Sequence, residues 1–381
     1  MKRLAIGMMS GTSLDGIDVQ AAQIEGSFSS LELIPLTFMT FPYEQCLKHR
    51  IERVMTDRDL RISDVSRLNS ELAYVFARSV RSFCAQTGID LLNVDFIASH
   101  GQTVWHDPDG RIPSTLQLGD GAMLASLLGT TVISNFRAAD IAVGGQGAPL
   151  VPYFDYAFFR DDRRSRAILN IGGIANLTIL PKGARIDEVI AFDTGPGVMV
   201  IDALSTHFFS VSFDDRGDIA RSGKPIRSLQ EELEGHPYLE KKPPKSTGRE
   251  AFGQQFVRDI ILRYPGADPK DLLHTLTRFT ADSIVRALRQ HESSDELILS
   301  GGGAKNDFLV DLLREALPKT AVRMVEDFGF DGFAKEALAF IVLGQQTLEG
   351  RPANIKSATG AKKSVILGQI QYVSRNDRKG A

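Results

Sequence analysis

The residues best placed to do chemistry begin with one carboxylate near the middle of the chain. Residues 189–192, Val-Ile-Ala-Phe, are an apolar run that predicts a buried strand, and it delivers Asp193 straight into the turn Thr194-Gly195-Pro196-Gly197. In open α/β sheets ligands meet the protein where strands end, so a carboxylate there is a candidate catalytic group. Gly195 and Gly197 would let a substrate come close to the main chain. The plainer alternative is that Asp193 caps a helix beginning near Val198.

A second candidate lies near the start. Ser10-Gly11-Thr12-Ser13-Leu14-Asp15-Gly16 joins strands predicted over residues 4–9 and 17–24. Main-chain N–H groups opened by Gly11 and Gly16, with the hydroxyls of Thr12 and Ser13, are the donors that phosphate oxygens require. Asp15 and Asp18 offer the few carboxylates with which a hydrated Mg²⁺ is held. An ordinary hairpin turn accounts for the same residues, and with no Gly-Lys-Ser/Thr following, the loop is not of the Walker type.

Three further side chains suit a polar ligand. His100 stands in Ser99-His100-Gly101-Gln102-Thr103, at the expected end of a strand over residues 94–98, although a histidine satisfied by main-chain partners reads the same way. Arg137 leaves a strand over residues 131–134 and could clamp a carboxylate or sugar oxygens with its planar fork, or simply pair with Asp140. Glu336 falls at a helix start among small and apolar residues, where a carboxylate is costly to bury without a partner.

The elements that must position these groups are legible in outline. Helical spacing runs from residue 41 to 86, with Leu68, Leu72, Val75 and Phe76 on one face. Asp268-Pro269 opens another helix continuing through Leu272, Leu276 and Phe279. The polar stretch 221–253 reads as a loop or lid in which Lys245 and Arg249 could reach a phosphate, or form a solvated face. Gly144-Gly145-Gln146-Gly147-Ala148-Pro149 is the expected domain boundary, after which the chain starts over. The hairpin turn Gly172-Gly173 and the later turn Gly301-Gly302-Gly303 echo the glycine turns of the first half, so a duplicated unit with a cleft is expected.

Composition limits the classes. A chain of 381 residues, 43% hydrophobic and 24% charged, can build two globular cores. A net charge of −3 gives no general attraction to nucleic acid or anionic membrane, so a phosphate ligand must be held by local groups. Cys46 and Cys84 are too few for a disulfide framework and lack metal-ligand spacing, which fits a reducing cytoplasm. No signal peptide or membrane span is expected.

Taken together, Met9 to Asp18, Ser99-His100-Gly101-Gln102-Thr103, Asn135-Phe136-Arg137-Ala138-Ala139-Asp140, Gly144 to Leu150, Asn170-Ile171-Gly172-Gly173-Ile174-Ala175-Asn176, Phe192-Asp193-Thr194-Gly195-Pro196-Gly197, Gly301-Gly302-Gly303-Ala304-Lys305-Asn306 and Lys335-Glu336-Ala337 resemble the anhydro-N-acetylmuramic acid kinases of bacterial cell-wall recycling. The motifs keep their order over nearly the whole chain. The resemblance implies an α/β fold of two RNase H-like domains, of the sugar kinase, actin and heat-shock chaperone superfamily, around a central cleft. It places domain I at 1–138 plus 355–381 and domain II at 139–354. It implies ATP and Mg²⁺ as cofactors, a small anhydrosugar as partner, and neither nucleic acid nor membrane; a homodimer is one expectation for the assembly.

By the same resemblance Asp193 is the base that deprotonates a water, while Gly11, Thr12, Ser13, Leu14, Asp15, Gly16, Ile17 and Asp18 hold the phosphates. Asp15 and Asp18 take the metal, and Gly172, Gly173, Gly301, Gly302, Gly303 and Asn306 complete the nucleotide set. His100, Arg137 and Glu336 line the sugar pocket. One departure bears on sugar preference, since the family pattern continues with Asn where this chain has Val198. The rival expectations are a levoglucosan-type anhydrosugar kinase and a nucleotide-dependent switch of the same superfamily that phosphorylates no sugar.

Overall fold

The computed structural model describes residues 2–12, 14–26, 30–57, 59–243, 245–291 and 294–373. The chain divides into unit 1, residues 1–157 and 334–381, and unit 2, residues 158–333. Ser13 and Pro244 lie outside the described residues.

Unit 1 is built on a mixed sheet. Its strands are β1 (Arg3–Ser10), β2 (Gly16–Glu25), β3 (Glu32–Pro42), β4 (Phe96–Asp107), β5 (Ser114–Leu118), β6 (Val132–Ser134) and, from the chain's end, β12 (Gln369–Gln371). They are ordered β12-β6-β4-β1-β2-β3, with β5 paired to β4. Within this, β1 is antiparallel to β2, β2 antiparallel to β3, and β1 and β6 run parallel to β4. Central β1 is covered on both faces, so its Ala5, Ile6 and Met8 are all buried. Edge strand β3 alternates exposed and half-buried residues instead, and that weak pattern gave no strand signal in the sequence.

Unit 2 repeats the plan with β7 (Arg166–Ile171), β8 (Ile174–Leu180), β9 (Ile190–Pro196), β10 (Glu296–Ser300) and β11 (Ala321–Met324), ordered β11-β10-β7-β8-β9. Again the first three strands form an antiparallel meander and the last two run parallel to the first. The meander followed by two crossover strands is thus present twice, and the duplication expected from the glycine turns is borne out in strand order.

The helix Lys335–Leu348 packs over β1, β2 and β4. Glycine on both sides permits that approach. A Cβ on Gly7 would stand 2.0 Å from the Ala337 carbonyl oxygen, and one on helical Gly344 would stand 3.0 Å from the Ala98 Cβ. The expected boundaries at 138/139 and 354/355 both fall inside unit 1. The reason is packing: buried Asp140 accepts hydrogen bonds from Asn354 Nδ2 at 2.8 Å and Thr359 Oγ1 at 2.9 Å, so residues just after 138 are tied to residues on both sides of 355. Among the described residues no helix is long and apolar enough to cross a membrane.

Candidate functional site

In unit 1 the turn after β1 is anchored from beneath. Buried Ser10 Oγ donates to Gln102 Oε1 at 2.5 Å and lies 2.6 Å from the Tyr43 hydroxyl, so β1, β4 and the end of β3 converge where the turn begins. Leu14 takes a left-handed φ of 61° and its amide reaches the Gly11 carbonyl at 3.3 Å. The side chains of Leu14 and Ile17 are buried in the unit 1 core, so neither side chain is available to a phosphate. Gly16 is explained by packing, because a Cβ there would meet the Phe41 carbonyl oxygen at 2.5 Å. Gly11 is half-buried, and Thr12 and Asp15 are exposed.

Asp18 faces Thr40 across the β2–β3 ladder, and the Thr40 hydroxyl donates to its Oδ1 at 2.6 Å. Burial raises the Asp18 pKa and the charge of Asp15 adds to the rise, while Thr40 opposes it. Asp18 in turn helps raise Glu336, whose own burial is the larger cause and whose neighbours Arg137 and Lys335 pull the other way. The charge of Asp15 thus acts on Asp18 and that of Asp18 on Glu336, short of a three-ligand cage among the described residues. That donor set suits Mg²⁺, which takes one or two carboxylates and fills the rest of its shell with water and phosphate.

Arg137 is held by its first two nitrogens. Nε donates to His100 Nε2 at 2.9 Å and Nη1 to the Gly147 carbonyl at 2.7 Å, leaving Nη2 without a hydrogen bond among the described residues. Burial lowers the Arg137 pKa to about 10, although nearby Glu336 and Asp140 favour the cation, so it stays charged at neutral pH. The alternative pairing with Asp140 is not used, since Asp140 is taken up by the Gly147 amide, Asn354 and Thr359.

His100 differs from its expected role. It is only 3% exposed, with its ring 4.7 Å from that of Phe340. Arginine can only donate, so Nε2 accepts and the proton sits on Nδ1, which donates to the Gly101 carbonyl at 2.7 Å. Burial first and the Arg137 charge second push its pKa well below the ordinary histidine value. A neutral ring with both nitrogens engaged orients Arg137 from behind instead of lining a pocket. Nor does the motif end its strand: β4 continues to Asp107 because β5 pairs with it, and Gly101 sits at a bulge with φ 79°.

In unit 2, Asp193 lies within edge strand β9, opposite Asn176 of β8 and just before a bulge. It caps nothing: the helix Met199–Phe209 begins after Val198 without a side-chain cap. Its contacts come from the polar stretch 221–253. The Asp193 amide donates to the Lys245 carbonyl at 3.1 Å, the Thr247 amide donates to Asp193 Oδ2 at 2.9 Å, and the Tyr238 hydroxyl donates to the Asp193 carbonyl at 2.8 Å. Burial pushes the half-buried Asp193 carboxyl up to about 6, with Glu250 adding to the rise and Thr247 and Lys245 opposing it. Lys245 is stacked, with Nζ 4.7 Å from the centroid of the Tyr238 ring.

The glycine turns of unit 2 interlock. The Gly197 amide donates to the Gly173 carbonyl at 2.9 Å and the Val198 amide to the Gly172 carbonyl at 2.9 Å. A Cβ on Gly197 would meet the Gly172 oxygen at 2.0 Å, and one on Gly195 would meet Ser283 Oγ at 3.1 Å. These two glycines serve close packing within the protein, not approach of a substrate. Gly301 and Gly303 are likewise filled, with a Cβ 2.6 Å from Asn170 Oδ1 and 2.3 Å from Ile171 Cγ2 respectively. Gly302 and Gly172 are open, their nearest non-neighbour atoms being 3.9 and 3.5 Å from such a Cβ. The nucleotide role expected of Asn306 gives way to a structural one, because its Oδ1 caps the helix Asp307–Ala316 by accepting from the Leu309 amide at 2.9 Å. Val198 packs against the unit 2 core, its Cγ1 2.9 Å from a Cβ placed on Gly303.

Two groups escaped the sequence reading. Tyr238 gave no motif signal. Lys335 forms an ion pair with Asp155 at 2.7 Å in which both side chains are 3% exposed, and only the buried surroundings reveal it.

Duplicated mixed sheets of this order, one with a donor-rich turn on its first hairpin and the other with a half-buried carboxylate beside glycine turns, define a class. It is a two-unit α/β fold in which an antiparallel meander followed by two parallel crossover strands occurs twice. A family model for anhydro-N-acetylmuramic acid kinase matches residues 3–373. The chain is 46% identical over 377 residues to the anhydro-N-acetylmuramic acid kinase of Francisella tularensis subsp. novicida (strain U112), covering 97% of this chain and 99% of that one. It is 43% identical over 375 residues to the enzyme of the same name from Bacillus cereus (strain AH820), covering 96% and 98%. Among solved structures, the activator of 2-hydroxyisocaproyl-CoA dehydratase from Clostridium difficile with bound ADPNP is similar at a TM-score of 0.45 and 10% identity, covering 89% of this chain and 93% of that one. The chain belongs to the anhydro-N-acetylmuramic acid kinase family and is a kinase.

Proposed function

We propose that this kinase uses ATP and water to convert 1,6-anhydro-N-acetylmuramic acid to N-acetylmuramic acid 6-phosphate and ADP, as a cytoplasmic step of peptidoglycan recycling. The observation that carries the reading is the family match over residues 3–373, which includes Asp193 and the turn that follows it. Asp193 takes a proton from water, and the water oxygen bonds to the anomeric carbon of the sugar. The bond from that carbon to the bridging oxygen breaks, and the freed 6-oxygen attacks the γ-phosphorus of ATP. The bond from that phosphorus to the β,γ-bridging oxygen breaks, and ADP leaves. A carboxyl with a pKa of about 6 is well matched to this work, being ionised at neutral pH yet basic enough to accept a proton.

Arg137, through Nη2, and Glu336 are the sugar contacts, with His100 holding the guanidinium in place. Main-chain amides from Gly11 to Gly16 take the phosphates, and Gly172, Gly173 and Gly302 complete the nucleotide set. Asp15 and Asp18 would hold Mg²⁺, which offsets phosphate charge when bound. Val198 turns toward the glycine turn at Gly303 and the core, so its replacement of the family's Asn leaves sugar choice to other residues.

The test is incubation with ATP, Mg²⁺ and either the anhydromuramic sugar or levoglucosan, with ADP followed continuously and products identified by mass spectrometry. Strong preference for the muramic sugar is expected. Equal or reversed preference would move the assignment to a levoglucosan-type kinase, and ADP release unchanged by either sugar would favour the ATPase switch.

A further inference from the structure

The free edge of β9 is covered where it matters most. Residues 245–247 run along it, with the Asp193 amide bonded to the Lys245 carbonyl at 3.1 Å and the Thr247 amide bonded back to Asp193 Oδ2 at 2.9 Å. The tether to Lys245 is itself braced. Tyr238, in the short helix Pro237–Glu240, donates to the Asp193 carbonyl at 2.8 Å, and its ring is the platform 4.7 Å from the Lys245 ammonium. One bond between main chains and two that each join a side chain to main chain thus fix Asp193 to one segment from three directions, and Oδ1 has no hydrogen bond among the described residues.

We propose that Thr247 is a positioning residue for the reaction: its main-chain N–H holds Oδ2 of Asp193, leaving Oδ1 as the oxygen that accepts the proton. The inference rests on the reading of Asp193 as the base. A main-chain donor suits the task, because it cannot titrate and cannot compete for the proton. A donor on Oδ2 stabilises the ionised carboxylate and so lowers its pKa. The other groups facing Asp193 are Glu250, which raises its pKa, and Lys245, which lowers it. Tyr238 also stands close, its own pKa raised by burial and by the charges of Asp193 and Glu250. Lys245 is in turn held below its ordinary pKa by burial and by Arg286. The segment is therefore a latch that both aims the carboxylate and holds down a pKa that burial alone would carry further up.

Two measurements test it. Thr247→Pro removes the N–H and should move the acid limb of the kcat–pH profile up by about one pH unit, the worth of a hydrogen bond to a charged group, whereas Thr247→Ala retains the amide and should retain the wild-type limb. The second does not depend on turnover or on the proline variant folding. In Asp193→Ala, residue-resolved hydrogen exchange should show the Thr247 amide exchanging at least about tenfold faster, because its acceptor is gone. An unmoved acid limb in folded Thr247→Pro, or unchanged exchange of the Thr247 amide in Asp193→Ala, overturns the inference. Its failure is distinct from failure of the underlying reading, which falls if Asp193→Asn retains turnover.

Discussion

The pKa of Asp193 makes the sharpest prediction, because it ties activity and stability to one side chain with opposite signs. An ordinary aspartate near 3.8 would be almost fully ionised at pH 5, but with the carboxyl at about 6 the ionised fraction is about 0.9 at pH 7, about half at pH 6 and about 0.1 at pH 5. If the ionised form is the base, kcat falls about tenfold between pH 7 and pH 5, along a limb centred near 6. Linkage gives the second half. A carboxyl whose folded-state pKa is raised binds its proton more tightly in the fold than in the unfolded chain, so its contribution is favourable below about pH 4 and is lost as pH rises through 6. The rise of about two units corresponds to at most about 3 kcal/mol of lost stability at pH 7. Asp193→Asn, nearly isosteric and still able to accept from the Thr247 amide, removes both effects: turnover is abolished and the melting temperature at pH 7 rises. The assays are ADP release across pH 4.5–8, with folding verified by circular dichroism at each pH, and calorimetry of both proteins at pH 4.5 and 7. A kcat flat down to pH 5, or an Asp193→Asn protein less stable than the parent at pH 7, refutes the reasoning.

Lys335→Met leaves Asp155 charged and buried without its 2.7 Å partner, which costs about 3–5 kcal/mol, measured by chemical denaturation; pairing it with Asp155→Leu recovers much of the loss if the pair is worth little beyond its own desolvation. Thr40→Val removes the donor at 2.6 Å from Asp18 Oδ1 and raises the Asp18 pKa further, so the Mg²⁺ concentration for half-maximal ADP release rises severalfold at pH 6.5; an unchanged Mg²⁺ requirement would take Asp18 out of the metal set.

Much of the architecture was legible because the central strands of each sheet are covered on both faces and read as apolar runs, as in residues 4–6 and 297–299. Strand β3 was not, since an edge strand buries little. The domain limits were misplaced for a related reason. Gly144 to Pro149 looks like a linker, but its turn is folded around buried Asp140, whose partners Asn354 and Thr359 lie far along the chain. The side chains of the candidate site were recognisable by type, yet their division of labour was not. His100 and Arg137 stand far apart in sequence, and only the 2.9 Å bond between them shows that the histidine is neutral and serves the arginine.

Glycine is where sequence reasoning reaches its physical limit here. A glycine is required wherever a Cβ has no room, and the sequence does not say whether a ligand or the protein itself takes the space. The structure separates the cases. Gly16, Gly197 and Gly303 are each met by protein atoms at 2.5 Å or less from the position of a Cβ, so their identity is fixed by packing alone. Gly172 and Gly302 meet nothing closer than 3.5 Å, and they are the positions where a bound nucleotide is free to be the reason. The interlocked turns add a mechanical consequence. The Gly172 and Gly173 carbonyls accept the amides of Gly197 and Val198, so the turn of the nucleotide set and the turn that follows Asp193 are one rigid body. The proposed base and the glycines proposed for the nucleotide are thereby held in fixed register within a single unit, which is what a reaction that must couple bridge opening to phosphoryl transfer requires.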